Sequence, residues 1–328
     1  MSILSSNKKI VNIIFNDHSI RYVEVKQQKP PVPLKWGEKL LPYGIIQEGK
    51  IVDPLTLSMI LEECIGDWKI KRRKVRFLVP DPLVMIRKVK VPDEVRSDEL
   101  NGYLYLELGE SIHLPFEEPV FETVLLPKKG EHREALLFAA PQQQVMEYSQ
   151  VLSGLKLKPM AADISPLALY RLYHQTDSAQ KDERLMMIQF DLDRVFICIF
   201  EQHYPIFMHH YPIHYRIEDW DVKLTRSGAH RFQYIGETAD LNTQLEDFYK
   251  EVSKLMDFYR YSLYQGNEQI TKVLLNGDHP KLQIILQEMQ QRFEIQTHTI
   301  DSSEWAAGKT SLFPHSHFLA LGLGLKEV

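Results

Sequence analysis

Cysteine is nearly absent from this chain of 328 residues, which carries only Cys64 and Cys198. Two thiols so far apart make no disulfide framework, and they fit a reducing compartment. Long apolar runs are missing as well. No window approaches the ~20 apolar residues of a membrane-spanning helix. The opening MSILSSNKK has no apolar core of a secretory signal. A basic excess is lacking: the formal net charge is -5, which argues against a nucleic-acid footprint. No tandem repeat, low-complexity segment, G-x-S-x-G elbow or H-E-x-x-H helix occurs. What is present is 44% apolar residues, enough for a packed core, in a length that suggests about two domains.

VNIIFNDHSIRYVEV, Val11 to Val25, places apolar strands around a polar turn and reads as a β-hairpin. Its turn, Asn16 to Ser19, sits where an α/β chain often cradles phosphate, yet it has no glycine for close backbone approach. A proline-led strand follows, then an amphipathic helix over Asp53 to Trp68, with Asp53 as cap and Pro54 in the first turn. A strand spans Val75 to Val79. LVMIRKVKVP, a helix capped at Ser97, PVFETVLLP, EALLFAAP and a helix ending near Gly154 form a compact α+β block. PMAADISP and LALYRLYHQ add a strand and a helix, and Thr176 to Arg184 reads as a linker. The second half opens on another hairpin, turning around Glu201 to Tyr204. YRIEDWDVKLTRSGAHRFQYIGETAD has no assignable pattern. The longest helix then presents an apolar stripe of Leu241, Leu245, Phe248, Val252, Leu255, Tyr259 and Leu263. Strand, helix, strand and a short apolar helix close the chain. Each half thus begins with a hairpin and returns to strand–helix units.

Three stretches invite chemistry. AAGKTS, Ala306 to Ser311, resembles the tail of a Walker A loop built around Lys309, but Ser303 stands where its first glycine belongs. His203, His209, His210 and His214 suggest zinc, yet His209 and His210 on one strand point to opposite faces, so edge histidines are the expectation. The six cations from Lys69 to Arg76 could meet phosphates or lipid head groups, with a solvated helix-to-strand connection as the simpler reading. No catalytic residue and no metal site is expected.

The order of elements resembles the actin-like, RNase H-like fold: two α/β lobes, with an α+β insert subdomain in the first. The specific resemblance is to the PilM family, actin-like proteins of type IV pilus assembly related to FtsA, and it spans nearly the whole chain. DHSIRYVEV is similar to the family's first hairpin. DELNGYLYLELGESIHLPFEEPVFE is similar to its E-L…E…I-P-F…E-V block at Glu99, Leu100, Glu107, Ile112, Pro115 and Phe116. LLFAAP, LSGLKLKPMAADISPLAL and FLALGLGL match later segments. The resemblance implies a first lobe over 1–81 and 156–180, its insert over 82–155, a second lobe over 181–213 and 269–328, and an insert over 214–268.

Compared loop by loop, the family's ATP site is degenerate here. The first phosphate loop, D-I-G-S-H-S, becomes Ile14, Asn16 and Ser19 at its aspartate, glycine and final serine. The second, D-I-G-x-x-x-T, has Gln189 for the aspartate and Asp191 for the glycine. The adenosine loop survives in part as Asn276 and Gly277. Magnesium needs oxygen ligands that Ile14 cannot supply, and Asp191 puts negative charge where phosphate would sit. Asp17 or Asp193 would have to shift inward to compensate. The expectation is therefore a non-enzymatic adaptor without cofactor, with ATP and magnesium as the alternative. The resemblance implies a partner, the cytoplasmic N-terminal peptide of a PilN-like bitopic membrane protein, beside other platform proteins and possible self-association. It also implies a cytoplasmic protein recruited to the inner face of the membrane. Candidate groove walls are Leu83, Met85 and Arg87 on a strand and Tyr103, Leu106 and Glu107 on a helix; the apolar members fit a core equally well.

Overall fold

In β1 (Val11–Phe15) both alternating sets of side chains are buried, which suits a strand in the middle of a covered sheet. The structure, a computed structural model, describes residues 10–26, 29–128, 133–176, 179–213, 216–224, 230–301 and 313–327. β2 (Ser19–Lys26) and β3 (Val32–Leu40) complete an antiparallel meander. A minimal hairpin, β4 (Ile46–Gln47) and β5 (Lys50–Ile51), leads into α1 (Pro54–Asp67). Asp53 accepts from the Thr56 amide at 3.0 Å, capping α1 as its sequence predicts. β6 (Lys74–Leu78) returns parallel to β1.

The chain then leaves the lobe. β7 (Met85–Val91), α2 (Leu100–Glu107), β8 (Pro119–Leu125) and β9 (Arg133–Pro141) form a three-stranded sheet, β7-β9-β8, with α2 across one face. Ser97 does not cap α2. The helix starts three residues later without a side-chain cap, because the Glu99 carboxylate turns back to the Arg96 amide, 3.3 Å away. α3 (Gln142–Gly154) lies inside the 82–155 range yet buries Tyr148 and Leu152 in the core of the first lobe. β10 (Lys158–Asp163) joins β6 in parallel, and α4 (Ser165–Tyr173) follows.

The second half repeats the plan. β11 (Arg184–Phe190), β12 (Arg194–Glu201) and β13 (Tyr204–Pro212) make the meander. The stretch without assignable pattern contains a hairpin, β14 (Trp220–Leu224) and β15 (His230–Tyr234). α5 (Thr238–Asp257) packs on the second sheet much as α1 packs on the first. Its predicted stripe is buried through Tyr259; Leu263 is exposed, because Phe258–Leu263 winds as a π-helix and the change of period turns it off the core. β16 (Lys272–Asn276), α6 (Leu282–Arg292), β17 (Gln296–His298) and α7 (Phe318–Leu323) finish the chain.

The sheets run β10-β6-β1-β2-β3 and β13-β12-β11-β16-β17. Counted within each half, both orders are third, second, first, fourth and fifth strand, with the first three antiparallel and the last two parallel to the first. This duplicated unit is the actin-like fold. Between the sheets α4 and α7 fill a common core with Val23 and Leu78 from one lobe and Met187, Phe196 and Cys198 from the other. Both cysteines are free and buried. The two helices touch where Gly322 meets the backbone of Ala168, and a Cβ there would collide with the Ala168 carbonyl. Gly322→Ala is therefore expected to destabilise by about 1–3 kcal/mol. The measurement is a lower denaturant midpoint at unchanged slope, and an unchanged midpoint would contradict the close crossing.

Candidate functional site

Duplication places two β-turns face to face. The β1–β2 turn, Asn16 to Ser19, comes from the first lobe, and the β11–β12 turn, Asp191 to Asp193, from the second. The end of β16 and the residues after it, Asn276 to His279, meet these turns. These are the three loops that sequence comparison marks as nucleotide contacts.

Each position compared with the family's ATP loops has a local role. Ile14 is buried in the shared apolar core. Asn16 closes its own turn: its amide donates to the Ser19 carbonyl at 2.8 Å, and its side-chain amide to Ser19 Oγ at 3.3 Å. Gln189 donates to Asp191 Oδ1 at 2.6 Å and accepts from Asn276 Nδ2 at 2.7 Å, so three of the marked residues form one buried chain. Gly277 has a φ of +145°, and a Cβ on it would collide with the Phe190 backbone. Packing alone accounts for that glycine.

Charged residues then tie the lobes together. His18 Nδ1 lies 2.9 Å from Asp193 Oδ2, and its Nε2 lies 3.6 Å from Asp278 Oδ2. Arg21, on β2, bonds Glu38 through Nε at 2.6 Å and Asp278 through Nη2. Its Nη1 donates to the Ser316 carbonyl at 3.3 Å. Arg194 of the second lobe reaches Asp17 of the first at 3.0 Å and its neighbour Asp193 at 3.1 Å. Asp278 Oδ1 also accepts from the Leu192 amide at 2.8 Å. From β15, His230 Nδ1 lies 3.0 Å from Glu38 Oε2, and Phe232 stands edge-on to His18.

The two aspartates that could have moved inward are committed. Asp17 accepts from the amides of Glu48 and Gly49, at 2.7 and 3.1 Å, in the β4–β5 turn, besides holding Arg194. Asp193 is shared by His18 and Arg194.

Electrostatics follow from burial and these partners. Burial alone would lower the His18 pKa, but Asp193 and Asp278 outweigh it and raise the imidazole from 6.5 to about 10. Arg21 Nη2 also lies 3.3 Å from His18 Nε2, but a charged imidazole has no lone pair to offer, and Arg21 is held by Asp278. Burial would raise Asp278, yet Arg21 and His18 hold it down at about 2. Burial, and then the nearby Asp278, raise the Asp191 pKa, which works against the negative charge its position in the sequence suggests. Three cations, His18, Arg21 and Arg194, thus face four carboxylates, Asp17, Glu38, Asp193 and Asp278. The space left beside Arg21, Glu38, His230 and Asp278 is a cavity of about 280 Å³, slightly under the ~300–1,000 Å³ of usual small-molecule sites. These side chains do not fit a magnesium triphosphate: each anion already has a protein partner, and the balance of charge is negative.

The other predicted residues scatter. Leu83 is buried with Val79, Val84 and Ala140 and is core, not groove wall. Met85 and Tyr103 are half-buried and Arg87 is exposed. Leu106 is 74% exposed, next to Tyr105 at 66%. Glu107 accepts from Ser111 at the end of α2. Beside them, Tyr105, Leu108 and the loop from Gly109 to Pro119 enclose a groove of about 680 Å³. His203 contacts the Tyr170 hydroxyl, His209 pairs with Glu251 and His210 approaches the Val84 carbonyl, so these three do not converge. Among the described residues no cluster of three or more His, Cys, Asp or Glu could hold a metal ion. His214 and the AAGKTS stretch lie outside the described residues. Sequence reasoning missed Arg21, Glu38, Arg194, His230 and Asp278; an arginine inside the apolar run of β2 was the available signal.

A model of the family described as type IV pilus assembly protein PilM matches residues 13–212. Among solved structures, a chain of the "PilM-PilN type IV pilus biogenesis complex" is 16% identical with a TM-score of 0.75, over 97% of this chain and 99% of that one. At that identity the likeness is one of fold. Ethanolamine utilization protein EutJ from Carboxydothermus hydrogenoformans gives 9% identity and a TM-score of 0.49, over 96% of this chain and 88% of that one. The cytoplasmic domain of EpsL from the Vibrio cholerae type II secretion system gives 11% and 0.47, over 98% and 96%. No curated protein sequence matches.

The cleft charges make stability depend on pH. A raised His18 pKa adds stability that is complete below 6.5 and lost as pH rises through about 10. The lowered Asp278 pKa adds stability that is complete above 3.8 and lost as pH falls through about 2. Asp191, raised from 3.8 to about 8, also favours the folded state less as pH climbs. Melting temperature is therefore expected to fall between pH 6.5 and 10, and His18→Gln, which keeps Asp191, to fall less steeply. Parallel curves for the two proteins would remove His18 from this role.

Proposed function

The chain belongs to the PilM family of type IV pilus assembly proteins, and from that premise we propose that it works as a nucleotide-free adaptor in a pilus or competence-type platform. The observation that carries this reading is the ionic network across the cleft. Seating a triphosphate between the turns would mean parting His18 and Arg21 from Asp193 and Asp278. Leaving one member of a buried ion pair without its partner costs about 3–5 kcal/mol. Each new like-charge contact at ~4 Å adds about 4 kcal/mol at an effective dielectric near 20. An actin-like ATPase using magnesium is the competing reading; its support is Gly277, which packing against Phe190 explains without a ligand, and Ser19, whose hydroxyl accepts from the Asn16 side chain.

The partner we assign is the cytoplasmic N-terminal peptide of a PilN-like membrane protein. The neighbour with the same fold is named as a complex with PilN. Support in this chain comes from α2, where Tyr105 stands out to solvent and lines the groove bounded by Gly109 to Pro119, and the exposed Leu106 follows it in sequence. An apolar anchor entering a groove rimmed by Glu117 and Glu118 suits a short peptide with a basic or polar register residue. Such a partner would bring the chain to the inner face of the membrane; among the described residues no helix is long and apolar enough to cross one.

Two measurements test the reading. In a thermal-shift series with magnesium and ATP the melting temperature is expected to stay flat. A bound nucleotide at a hundred times its dissociation constant would add about 2.7 kcal/mol, and a clear rise would favour the ATPase. In calorimetry with a synthetic N-terminal peptide of the PilN-like partner, micromolar binding is expected. Leu106→Asp is expected to weaken it by at least about tenfold at unchanged melting temperature, since that side chain is already exposed. Absence of binding by the folded wild type would sink the adaptor.

A further inference from the structure

A separate surface lies at the edge of the first sheet where β6 and β10 begin. The α1–β6 connection carries Lys69, Lys71 and Arg72. Lys74 opens β6, and its register partner Lys158 opens β10. The α3–β10 turn adds Lys156, so cations from separate stretches of chain meet along one edge. All six are exposed, and none has a carboxylate within 4.0 Å among the described residues. Elsewhere on the surface Lys39, Lys88, Lys128, Lys250 and Lys254 each hold an acidic neighbour, while Lys35, Lys50 and Lys90 hold none among the described residues; what sets this edge apart is that six such cations lie together.

Two of the cations counted from Lys69 to Arg76 are structural. Arg73 pairs with Glu24 at 3.4 Å, and Arg76 donates to the Gly324 carbonyl at 3.2 Å. The others point outward. Lys69, Arg72 and Lys156 have φ values of +58°, +59° and +63°. Glycine or asparagine takes that conformation with less strain. Backbone geometry therefore does not require lysine or arginine at these three positions.

We propose that this edge is an electrostatic docking face for an anionic lipid bilayer. The whole chain is negative, at -5, so an anionic surface attracts this edge and repels much of the rest, which fixes orientation as well as affinity. The cations line neither the cleft nor the α2 groove. A row of unpaired charges along a sheet edge suits an extended array of head-group phosphates better than a single phosphate. The inference goes beyond the adaptor reading and does not depend on it.

Co-sedimentation of the full chain with vesicles provides the test. Binding is expected to vesicles of phosphatidylcholine with phosphatidylglycerol, but not to phosphatidylcholine alone, and to be released at high salt as charges are screened. Each cation near an anionic surface contributes roughly fivefold to partitioning. The triple variant Lys71→Glu, Arg72→Glu, Lys74→Glu is thus expected to bind at least about 100-fold more weakly, with its melting temperature and peptide affinity unchanged. Should the triple variant fail to fold, Lys158→Glu is expected to lose about fivefold or more. The proposal is overturned if the wild type ignores anionic vesicles, binds neutral ones equally, or is retained by an acidic polypeptide but not by lipid. Undiminished binding by folded variants would overturn it as well. Titrating the partner peptide on the same samples separates the two readings, because a wild type that binds peptide but not lipid refutes only the docking face.

Discussion

Arg21 cannot be buried without anions, and the anion it finds across the cleft belongs to the other lobe. Its guanidinium sits in the middle of an apolar strand, where an unpaired charge would be far too costly. Glu38 on the neighbouring strand satisfies one edge, and Asp278 from the second lobe satisfies the other. His18 and Asp193 repeat the arrangement one turn away, and Arg194 answers from the opposite side with Asp17. Each lobe therefore supplies both signs. Separating the lobes would strand charges on both, so the closed cleft is a condition of keeping these residues buried.

That constraint explains how the actin-like architecture holds its two lobes together through the side chains at its cleft. Pairing each first strand with its second leaves a β-turn at the same height in both sheets, and the common core of α4 and α7 holds the sheets in register. The turns must face each other whatever they carry. In a nucleotide-binding cleft the facing backbones need something between them to offset their polarity. Here side chains of opposite sign occupy that place, and the α2 groove on the insert is left as a surface the clamp does not use.

Much of this was legible in the amino-acid sequence, and what was not has a physical reason. Alternation and capping identified the two hairpins, α1 and the long helix, because those signals are local. The β14–β15 hairpin was missed although Trp220, Val222 and Leu224 alternate with Asp221 and Lys223: each strand is only five residues long within a polar stretch, and His230 and Phe232 find their contacts, Glu38 and His18, only once the lobes have closed. The substitutions at Ile14, Asn16, Gln189 and Asp191 could be read off directly. The bonds that join the lobes at these turns could not, since Arg21 and Asp278 are 257 positions apart. Periodicity also cannot separate Leu83 from Leu106. Both are leucines on predicted elements, and only the packing of Val79, Val84 and Ala140 around the first makes it core.

Gly277 shows how a residue can have a structural cause apart from the role that a comparison gives it. A glycine in a nucleotide loop is usually explained by backbone approach to the ligand. At this position the approaching backbone is the protein's own, at Phe190, and it would exclude any side chain whether or not a nucleotide were bound. The glycine is therefore uninformative about ATP, whereas Ile14 is informative, since a buried aliphatic chain can neither coordinate magnesium nor orient water. Weight in such a comparison belongs to positions where the ligand, and not the fold, would dictate the residue. By that measure Ile14 counts and Gly277 does not, and the side chains that meet in the cleft join the two lobes directly.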